Sequence, residues 1–338
     1  MENATGQYKM SDITPDQIEK TFQKKVLVLE MRFGSWTYRK PSKKALKMLS
    51  DKTGINKDLL AAQVMAADKI HFKPLERTKS DFYTAIAGSE KSGKGLTLKH
   101  ADKACYTLPV VNYESADKLI RQYCIDFEAH VAEIVKNFDQ IKEDAKRSLN
   151  GNYDDTLFDE KFYPSPEKLT GGNVIHRQGE PEHDRGKYYF SYKFKPYTTS
   201  NDLQAEMFDD SLKDLKSIMQ SQAEQDMRSV ITDIWSKIFN CLTALKNKMA
   251  EEDRQDKSGS FQSPIFRDSI IGNIKDLVNI IPSLNIFEDP AIDTARQELI
   301  KELCDIDPQE LRDNKQKRQE VEKTADKILN KLPGLFGN

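Results

Sequence analysis

Apolar residues recur every three or four positions over a long segment in the second half of the chain, from Leu203 to Met249. This spacing predicts an amphipathic helix over 202–252, and neither Gly nor Pro interrupts it. Unbroken, the helix would extend about 75 Å at the usual rise per residue. Its apolar stripe is narrow in the first half, as in a coiled-coil seam. From Met227 to Leu245 the stripe widens, as in a helix that is contacted on more than one side.

The length of this helix predicts contacts beyond its own domain. A helix of that length either protrudes from its domain or lies along another chain. We therefore expect the protein to form homo-oligomers. The stripe nominates Leu212, Leu215, Met219 and Met227 for the contact.

Several shorter helices are also expected. A second stripe predicts a helix over 116–149, ended by Asn150 and Gly151. After a polar linker at 251–263, three helices are expected at 264–281, 290–304 and 308–332. Helix starts are marked by a capping residue followed by Pro, an arrangement found at Thr14, Ser165, Ser263, Asp289 and Asp307. Five such signals favour a mainly α fold.

Strand signals are confined to two runs. KKVLVLEMRF at 24–33 is apolar and rich in β-branched residues, and KYYFSYKFKPY at 187–197 alternates aromatic and basic residues. These runs predict a small antiparallel β-sheet beside a long-helix bundle or coiled coil and a C-terminal helical subdomain. The expected domains are an N-terminal α+β domain at 1–200, the long helix at 201–252 and the helical subdomain at 253–338.

Composition supports a chain with much surface. Of 338 residues, 38% are hydrophobic and 31% are charged, a balance that long amphipathic helices satisfy. The net charge of −2 gives no bulk attraction to nucleic acid or to an anionic membrane. Cys124, Cys241 and Cys304 fall at apolar positions of predicted helices, so we expect buried free thiols in a reducing compartment. No apolar run approaches the length of a membrane span, and we expect a soluble cytoplasmic protein.

The segment GSEKSGKG at 88–95 matches seven of the eight positions of a phosphate-binding loop. Gly95 occupies the eighth position, where a Ser or Thr hydroxyl would hold magnesium. The preceding residues read as a helix, whereas a phosphate loop follows a strand. No apolar strand ending in Asp follows the loop. We therefore expect a solvated loop and no nucleotide cofactor.

No catalytic or metal-binding constellation emerges from the sequence. The histidines lack metal-ligand spacing, and no cysteine has a histidine arranged to activate it. His176 and His183 share an acidic loop, which explains them as well as a metal would. We accordingly expect a protein that is not an enzyme, with no catalytic, cofactor or metal residues.

Two basic, aromatic segments are candidates for nucleic-acid contact. Aromatic rings can stack on bases and lysines can meet phosphates. The residues nominated are Lys187, Lys193, Lys195, Trp36, Arg39 and Lys40. In the alternative interpretation the aromatic side chains pack against helices and the lysines remain in water. The tail LPGLFGN presents Leu335 and Phe336, which would either dock into a partner's groove or fold back onto the last helix.

Several segments together resemble a family of bacterial, phage and mobile-element proteins known as a domain of unknown function. The matching segments are VLVLEMRFGSWTYRK, CYTLPVVNY, FYPSPEKL, YYFSYKFKPY, the Trp-containing long helix, FRDSIIGNIKDLVNIIPSLNIFEDP and DPQELR. They cover nearly the whole chain, and the block at 266–290 is the most specific. In the family Trp commonly follows the Leu-Pro pair, where this chain has Val110.

The resemblance implies partners and carries no functional residues. Genes of this family often lie near those of a MoxR-type AAA+ ATPase and a von Willebrand A-domain protein, and sometimes near recombination genes. The first hypothesis is therefore a non-enzymatic scaffold or adaptor that self-associates and acts with an AAA+ ATPase in a phage or mobile-element system. The second is a nucleic-acid-binding accessory factor in phage or plasmid DNA metabolism.

Overall fold

The computed structural model describes most of the chain, in segments separated by short gaps. The described residues are 13–89, 95–102, 105–176, 185–203, 209–250, 254–255, 261–262 and 269–332. They pack as two compact units that are discontinuous in sequence. Unit 1 comprises Met1–Leu29, Tyr83–Asp117 and Phe194–Asn338, and unit 2 comprises Glu30–Phe82 and Lys118–Lys193.

Helices dominate the described part of the chain, which confirms the predicted mainly α class. The α-helices are α1 (Pro15–Lys25), α2 (Lys43–Thr53), α3 (Lys73–Ala87), α4 (Tyr113–Lys136), α5 (Phe138–Leu149), α6 (Pro166–Thr170), α7 (Asp209–Met249), α8 (Ser269–Leu284), α9 (Pro290–Leu303), α10 (Pro308–Asp313) and α11 (Lys315–Lys331).

The long helix is unbroken from Asp209 to Met249 but does not cover all of the predicted 202–252. Ser200–Asp202 form a short 3₁₀ helix and Leu203 has an extended backbone. Helix α7 has 41 residues, which corresponds to about 62 Å. Four of the five predicted cap-Pro starts are confirmed, because the side chains of Thr14, Ser165, Asp289 and Asp307 each accept a backbone N–H at the start of a helix. The fifth, at Ser263, lies outside the described residues.

Two predicted helices are each divided by an asparagine. The helix expected over 116–149 is α4 and α5, which are divided at Asn137, where φ is −100° and ψ is 9°. The Asn137 side-chain amide donates to the Glu133 carbonyl oxygen at 3.0 Å, in addition to the backbone bond to that oxygen. The helix expected over 308–332 is α10 and α11. Asn314 has an extended backbone and its side chain caps α11, while the buried Arg318 guanidinium binds the Leu311 carbonyl oxygen of α10.

The strands form a small mixed sheet and two separate antiparallel pairs. They are β1 (Val26–Gly34), β2 (Arg39–Pro41), β3 (Gln63–Met65), β4 (Leu98–Lys99), β5 (Cys105–Pro109), β6 (Ile175–His176), β7 (Tyr189–Pro196), β8 (Arg254–Gln255) and β9 (Phe261–Gln262). The sheet has the order β4-β5-β1-β7-β6, and β2-β3 and β8-β9 pair separately.

Both predicted strand runs are strands, β1 and β7, and they are neighbours in the sheet. The expected antiparallel sheet is wrong in one respect: β4 and β5 pair antiparallel, but β6 and β7 pair parallel, so the sheet is mixed. Strands β4 and β6 have two residues each, too few to show a period in the sequence.

The core of unit 1 surrounds the second half of α7. Helices α1, α8 and α11 all pack against α7. Trp235 and Ile238 of α7 are completely enclosed. Phe22 of α1 stacks on the Tyr197 ring with centroids 4.6 Å apart and meets the edge of Phe287 at 5.2 Å. Apolar burial against three other helices therefore holds this half of α7 in place.

Unit 2 is built on aromatic contacts. Trp36 packs edge-on against Phe138 and Tyr163. In a second group the Phe190 ring of β7 meets the rings of Phe33 and Tyr123, with centroids within 5 Å. Large aromatic side chains with few rotatable bonds contribute much buried area at a small entropic cost.

Two further expectations bear on the whole chain. Cys124, Cys241 and Cys304 are buried and free, as predicted. Among the described helices, none combines the length and the apolar character that crossing a membrane requires. The proposed N-terminal α+β domain at 1–200, long helix at 201–252 and helical subdomain at 253–338 remain a prediction.

Candidate functional site

Three charged residues lie on the buried side of α7 in unit 1. The exposed fractions of Asp226, Asp233 and Lys237 are 1%, 5% and 8%. Positions seven and eleven residues apart fall on the same side of a helix, so the three side chains form one column. Because a buried charge is costly unless it is paired, their partners define the site.

Asp226 gathers donors from three parts of unit 1. Its Oδ2 accepts the Tyr197 hydroxyl at 2.7 Å. Its Oδ1 accepts the backbone N–H of Ala101 at 3.3 Å and the Gln222 amide at 3.2 Å. The His100 Nε2 lies 3.6 Å from Oδ2. Burial, and then the charge of Asp226, raise the pKa of Tyr197 far above its usual value, so this hydroxyl stays a donor.

Asp233 and Lys237 form a buried ion pair, with Asp233 two turns beyond Asp226 along α7. The Lys237 Nζ lies 3.4 Å from the Asp233 Oδ2 and donates to the Ala87 carbonyl oxygen, at the end of α3, at 3.0 Å. The same carboxylate accepts the backbone N–H of Lys99 at 3.2 Å, and the Lys99 Nζ lies 3.7 Å from Oδ1. Burial lowers the pKa of Lys237, and the charge of Asp233 partly offsets this.

These groups border a cleft of about 420 Å³ within unit 1. Its polar lining includes Lys99, His100, Tyr106, Asp233, Lys237 and Asn240. Gly88 and Ser89, the first two residues of the GSEKSGKG segment, also line it. The volume is in the range of small-molecule sites.

The surroundings of GSEKSGKG differ from those of a phosphate loop. Helix α3 precedes the segment and β4 follows it, the reverse of the strand-loop-helix order in which a helix N-terminus faces the phosphates. Residues 90–94, including Lys94, lie outside the described part. Gly95 has φ of 153°, and a Cβ there would lie 2.5 Å from backbone atoms of Ala87 and Gly88. The backbone therefore leaves no room at this position for Ser or Thr.

Most aromatic residues of the nucleic-acid prediction are buried. Trp36 is 5% exposed and its Nε1 donates to the Phe162 carbonyl oxygen at 3.1 Å. Phe190 of β7 and Tyr188, the residue before β7, are also buried in unit 2. Trp36, Tyr188 and Phe190 are thus placed as in the alternative interpretation, whereas Tyr192 and Phe194 are half-buried. Contact between Trp36 and nucleic acid remains a prediction.

The predicted basic contacts differ in their surroundings. Arg39, Lys187 and Lys195 are exposed, while Lys193 is half-buried. The Lys40 ammonium binds the Thr156 carbonyl oxygen at 2.9 Å and the Thr156 hydroxyl at 2.7 Å. Nucleic-acid binding through the exposed cations remains a prediction.

The predicted oligomer contacts fall into two groups. Leu212, Leu215 and Met219 are half-buried on the first part of α7. Met227 is 4% exposed and belongs to the core of unit 1, so it is not available to a partner. Leu335 and Phe336 lie outside the described residues.

No metal site emerges from the described histidines. Within the described ranges, no group of three or more His, Cys, Asp or Glu side chains is arranged to hold a metal ion. His130 lies 3.1 Å from the Thr78 hydroxyl. His176 is buried in β6, and His183 lies outside the described residues.

The charged column on α7 is the feature that sequence reasoning missed. The signal was available, because Asp226, Asp233 and Lys237 interrupt positions at which the widened stripe has apolar neighbours such as Met227 and Ile234. A charged residue on the wide apolar face of a helix predicts a buried pair. The backbone N–H groups of Lys99 and Ala101, which bind the two carboxylates, carry no such signal.

No family model, curated protein or solved structure matches this chain.

We predict that completing the phosphate-loop pattern destabilises the protein. Gly95→Ser places a Cβ against backbone atoms at 2.5 Å, so the free energy of unfolding should fall by about 2–4 kcal/mol. Urea unfolding measures this. The control is Gly54→Ser, at φ of 69° with open space around its Cβ position, which should cost about 1 kcal/mol. Equal stability of Gly95→Ser and wild type would contradict the prediction.

We also predict strong coupling between Asp233 and Lys237. Asp233→Leu and Lys237→Met should each lower the free energy of unfolding by about 3 kcal/mol, because each leaves a buried charge without its partner. The free energy of unfolding lost in the double variant should be smaller than the sum of the two single losses by at least about 1 kcal/mol. The control is the exposed pair Arg77–Asp81, also four residues apart on a helix, whose coupling should be below about 0.5 kcal/mol. Additive effects at Asp233 and Lys237 would show that the pair is not a unit.

Proposed function

We propose that this chain is a non-catalytic assembly protein that self-associates through the first part of α7 and acts as a scaffold or adaptor for an AAA+ ATPase. The observation that carries the proposal is the contrast between the two parts of α7. No side chain between 211 and 222 is buried, whereas from Ala223 onward most apolar side chains enter the core of unit 1.

The unburied part of α7 has the pattern of a helix seam. Leu212, Leu215 and Met219 follow one another at spacings of three and four residues, as at the a and d positions of a coiled coil. Ile218, beside them, is 64% exposed. An exposed apolar group of this kind typically marks an interaction surface.

The partner that fits this surface best is a second copy of the same segment. The apolar residues have a self-complementary heptad spacing, and the neighbouring Asp214 and Lys216 provide both signs of charge. Two copies can therefore set opposite charges beside an apolar seam. Burying a fully exposed apolar side chain contributes about 1.5–3 kcal/mol. Leu212, Leu215 and Met219 are already half-buried, so each contributes less, and the cost of association offsets part of this. We expect micromolar self-association.

The AAA+ partner in this proposal comes from the resemblance of the chain to a family whose genes often neighbour such ATPases. A non-catalytic role agrees with the order of elements around GSEKSGKG. In the nucleic-acid alternative Trp36 is a candidate for base stacking, but its ring is buried in the core. No feature of the described residues favours this alternative over assembly.

The self-association prediction is tested by light scattering. The wild-type chain should have a molar mass that is a multiple of 38.8 kDa at micromolar concentration, and Leu215→Glu should shift it to the monomer because two charges would meet in the seam. The matched control Ser217→Glu places the same charge at an exposed position of the same helix and should leave the mass unchanged. Circular dichroism checks that both variants fold. A wild-type chain that is monomeric at about 100 µM, well above the expected micromolar Kd, would contradict self-association.

The ATPase prediction is tested separately by affinity capture from the native host. A tagged wild-type chain should retain a MoxR-type AAA+ protein, identified by mass spectrometry, and ATP should change the amount retained because such ATPases change conformation with nucleotide. An unrelated tagged bait serves as the control. Failure to retain that ATPase with or without ATP would contradict the adaptor role and leave self-association to stand on its own test.

A further inference from the structure

The cleft in unit 1 has a chemical character that assembly through α7 does not use. Its carboxylate is already committed to the chain's own donors. The Asp233 Oδ2 accepts the Lys99 backbone N–H and lies near the Lys237 ammonium, and the Oδ1 faces the Lys99 ammonium. A ligand that needs an acceptor would therefore have to displace these contacts.

Donors, by contrast, remain available in the cleft. Lys237 has three N–H groups and two acceptors within reach, the Ala87 carbonyl oxygen and Asp233. The Lys99 side chain is 76% exposed. Within the described part of the chain, the Asn240 amide and the Tyr106 hydroxyl have no hydrogen-bond partner. The lining thus offers a surplus of donors from both sides of the cleft.

The charge balance of the cleft points in the same direction. Lys99 and Lys237 contribute two positive charges and Asp233 one negative charge. His100 also lines the cleft, but it faces the separate carboxylate of Asp226. Among the described residues that line the cleft, lysines therefore outnumber carboxylates, although the whole chain carries −2.

We propose that this cleft binds a small organic anion through a phosphate or carboxylate group, with Lys99, Lys237 and Asn240 as donors to its oxygens. Charge-assisted hydrogen bonds to an oxyanion are stronger than neutral ones, and two ammonium groups with an amide match its several acceptor positions. The Tyr106 ring forms part of the wall against which the body of the ligand packs. At about 420 Å³ the cleft accommodates a molecule of metabolite size.

The site would recognise the oxyanion with side chains and not with a phosphate loop. Lys99 follows GSEKSGKG in β4, and Lys237 and Asn240 come from α7. This distinguishes the proposal from nucleotide binding by the loop. In the purely structural alternative, Lys237 and Asp233 only hold the end of α3 against α7, and the cleft contains water.

Variants at Asn240 and Lys99 distinguish an anion-binding cleft from a purely structural joint. The Asn240 side chain has no partner in the described part of the chain and Lys99 is mostly exposed, so changing either should leave the folded protein intact. If the cleft is only a structural joint, neither residue should affect the binding of an added anion. Lys237 is unsuitable for this purpose because its replacement also breaks a buried ion pair.

The experiment is a thermal-unfolding titration of the full chain with AMP, which bears a phosphate, and with citrate, which bears carboxylates. Sodium chloride at matched ionic strength is the reference, because a ligand that binds only the folded state raises Tm with its concentration. At least one probe should raise the Tm of the wild type above that reference. Asn240→Leu and Lys99→Met should each weaken the binding about tenfold, since each removes a donor to a charged group.

The matched control is Asn247→Leu, the same substitution two turns further along α7 at an exposed position outside the cleft. It should titrate as the wild type does. A response to AMP alone assigns the site to phosphate compounds, and a response to citrate alone assigns it to carboxylates. If neither probe exceeds the sodium chloride reference, or if Asn240→Leu and Lys99→Met both respond as the wild type does, the proposal is overturned.

Discussion

The burial of the second half of α7 is the interaction on which the rest of unit 1 depends. From Ala223 to Met249 the apolar side chains of this helix lie against α1, α8 and α11, which come from both ends of the chain. Burial of apolar groups is the dominant favourable contribution to folding, and α7 supplies eleven of the buried residues in this core. A helix held along that length is rigid, so residues placed on it have fixed positions relative to one another.

Rigidity makes buried charge on α7 useful as a positioning device. Asp226 and Asp233 are enclosed, and each needs donors to offset the loss of water. The chain supplies them from 97–102, where the backbone N–H groups of Lys99 and Ala101 bind the two carboxylates. These bonds place the residues that follow GSEKSGKG directly on α7. On the other side of GSEKSGKG, the Lys237 ammonium binds the carbonyl oxygen of Ala87, the last residue of α3, and so holds the end of α3 against α7.

One helix thus presents two different surfaces. The apolar stripe on its first part is not buried in the core of unit 1. Such a stripe is expected where a helix contacts another chain. The second part of α7 is enclosed by the core of unit 1 and borders the cleft lined by Lys99, Asp233 and Lys237. An assembly role and an anion site on the same rigid helix are compatible, since residues 211–222 and Asn240 lie about 27 Å or more apart along its axis at the usual rise per residue.

Much of the secondary structure was determined by the sequence alone. The unbroken period of α7, the cap-Pro starts at Thr14 and Asp289 and the two strand runs are local signals, because capping, proline geometry and side-chain alternation act between near neighbours. The helix breaks at Asn137 and Asn314 are not predicted from the sequence. An asparagine can lie within a helix or at its end, and its surroundings decide which. Only the tertiary structure decided that Trp36 and Met227 are core residues, that the sheet is mixed and that Lys99 meets Asp233, 134 positions away. Such contacts depend on which surfaces meet after folding, and backbone N–H groups, which every residue except proline possesses, leave no mark of their partners in the sequence.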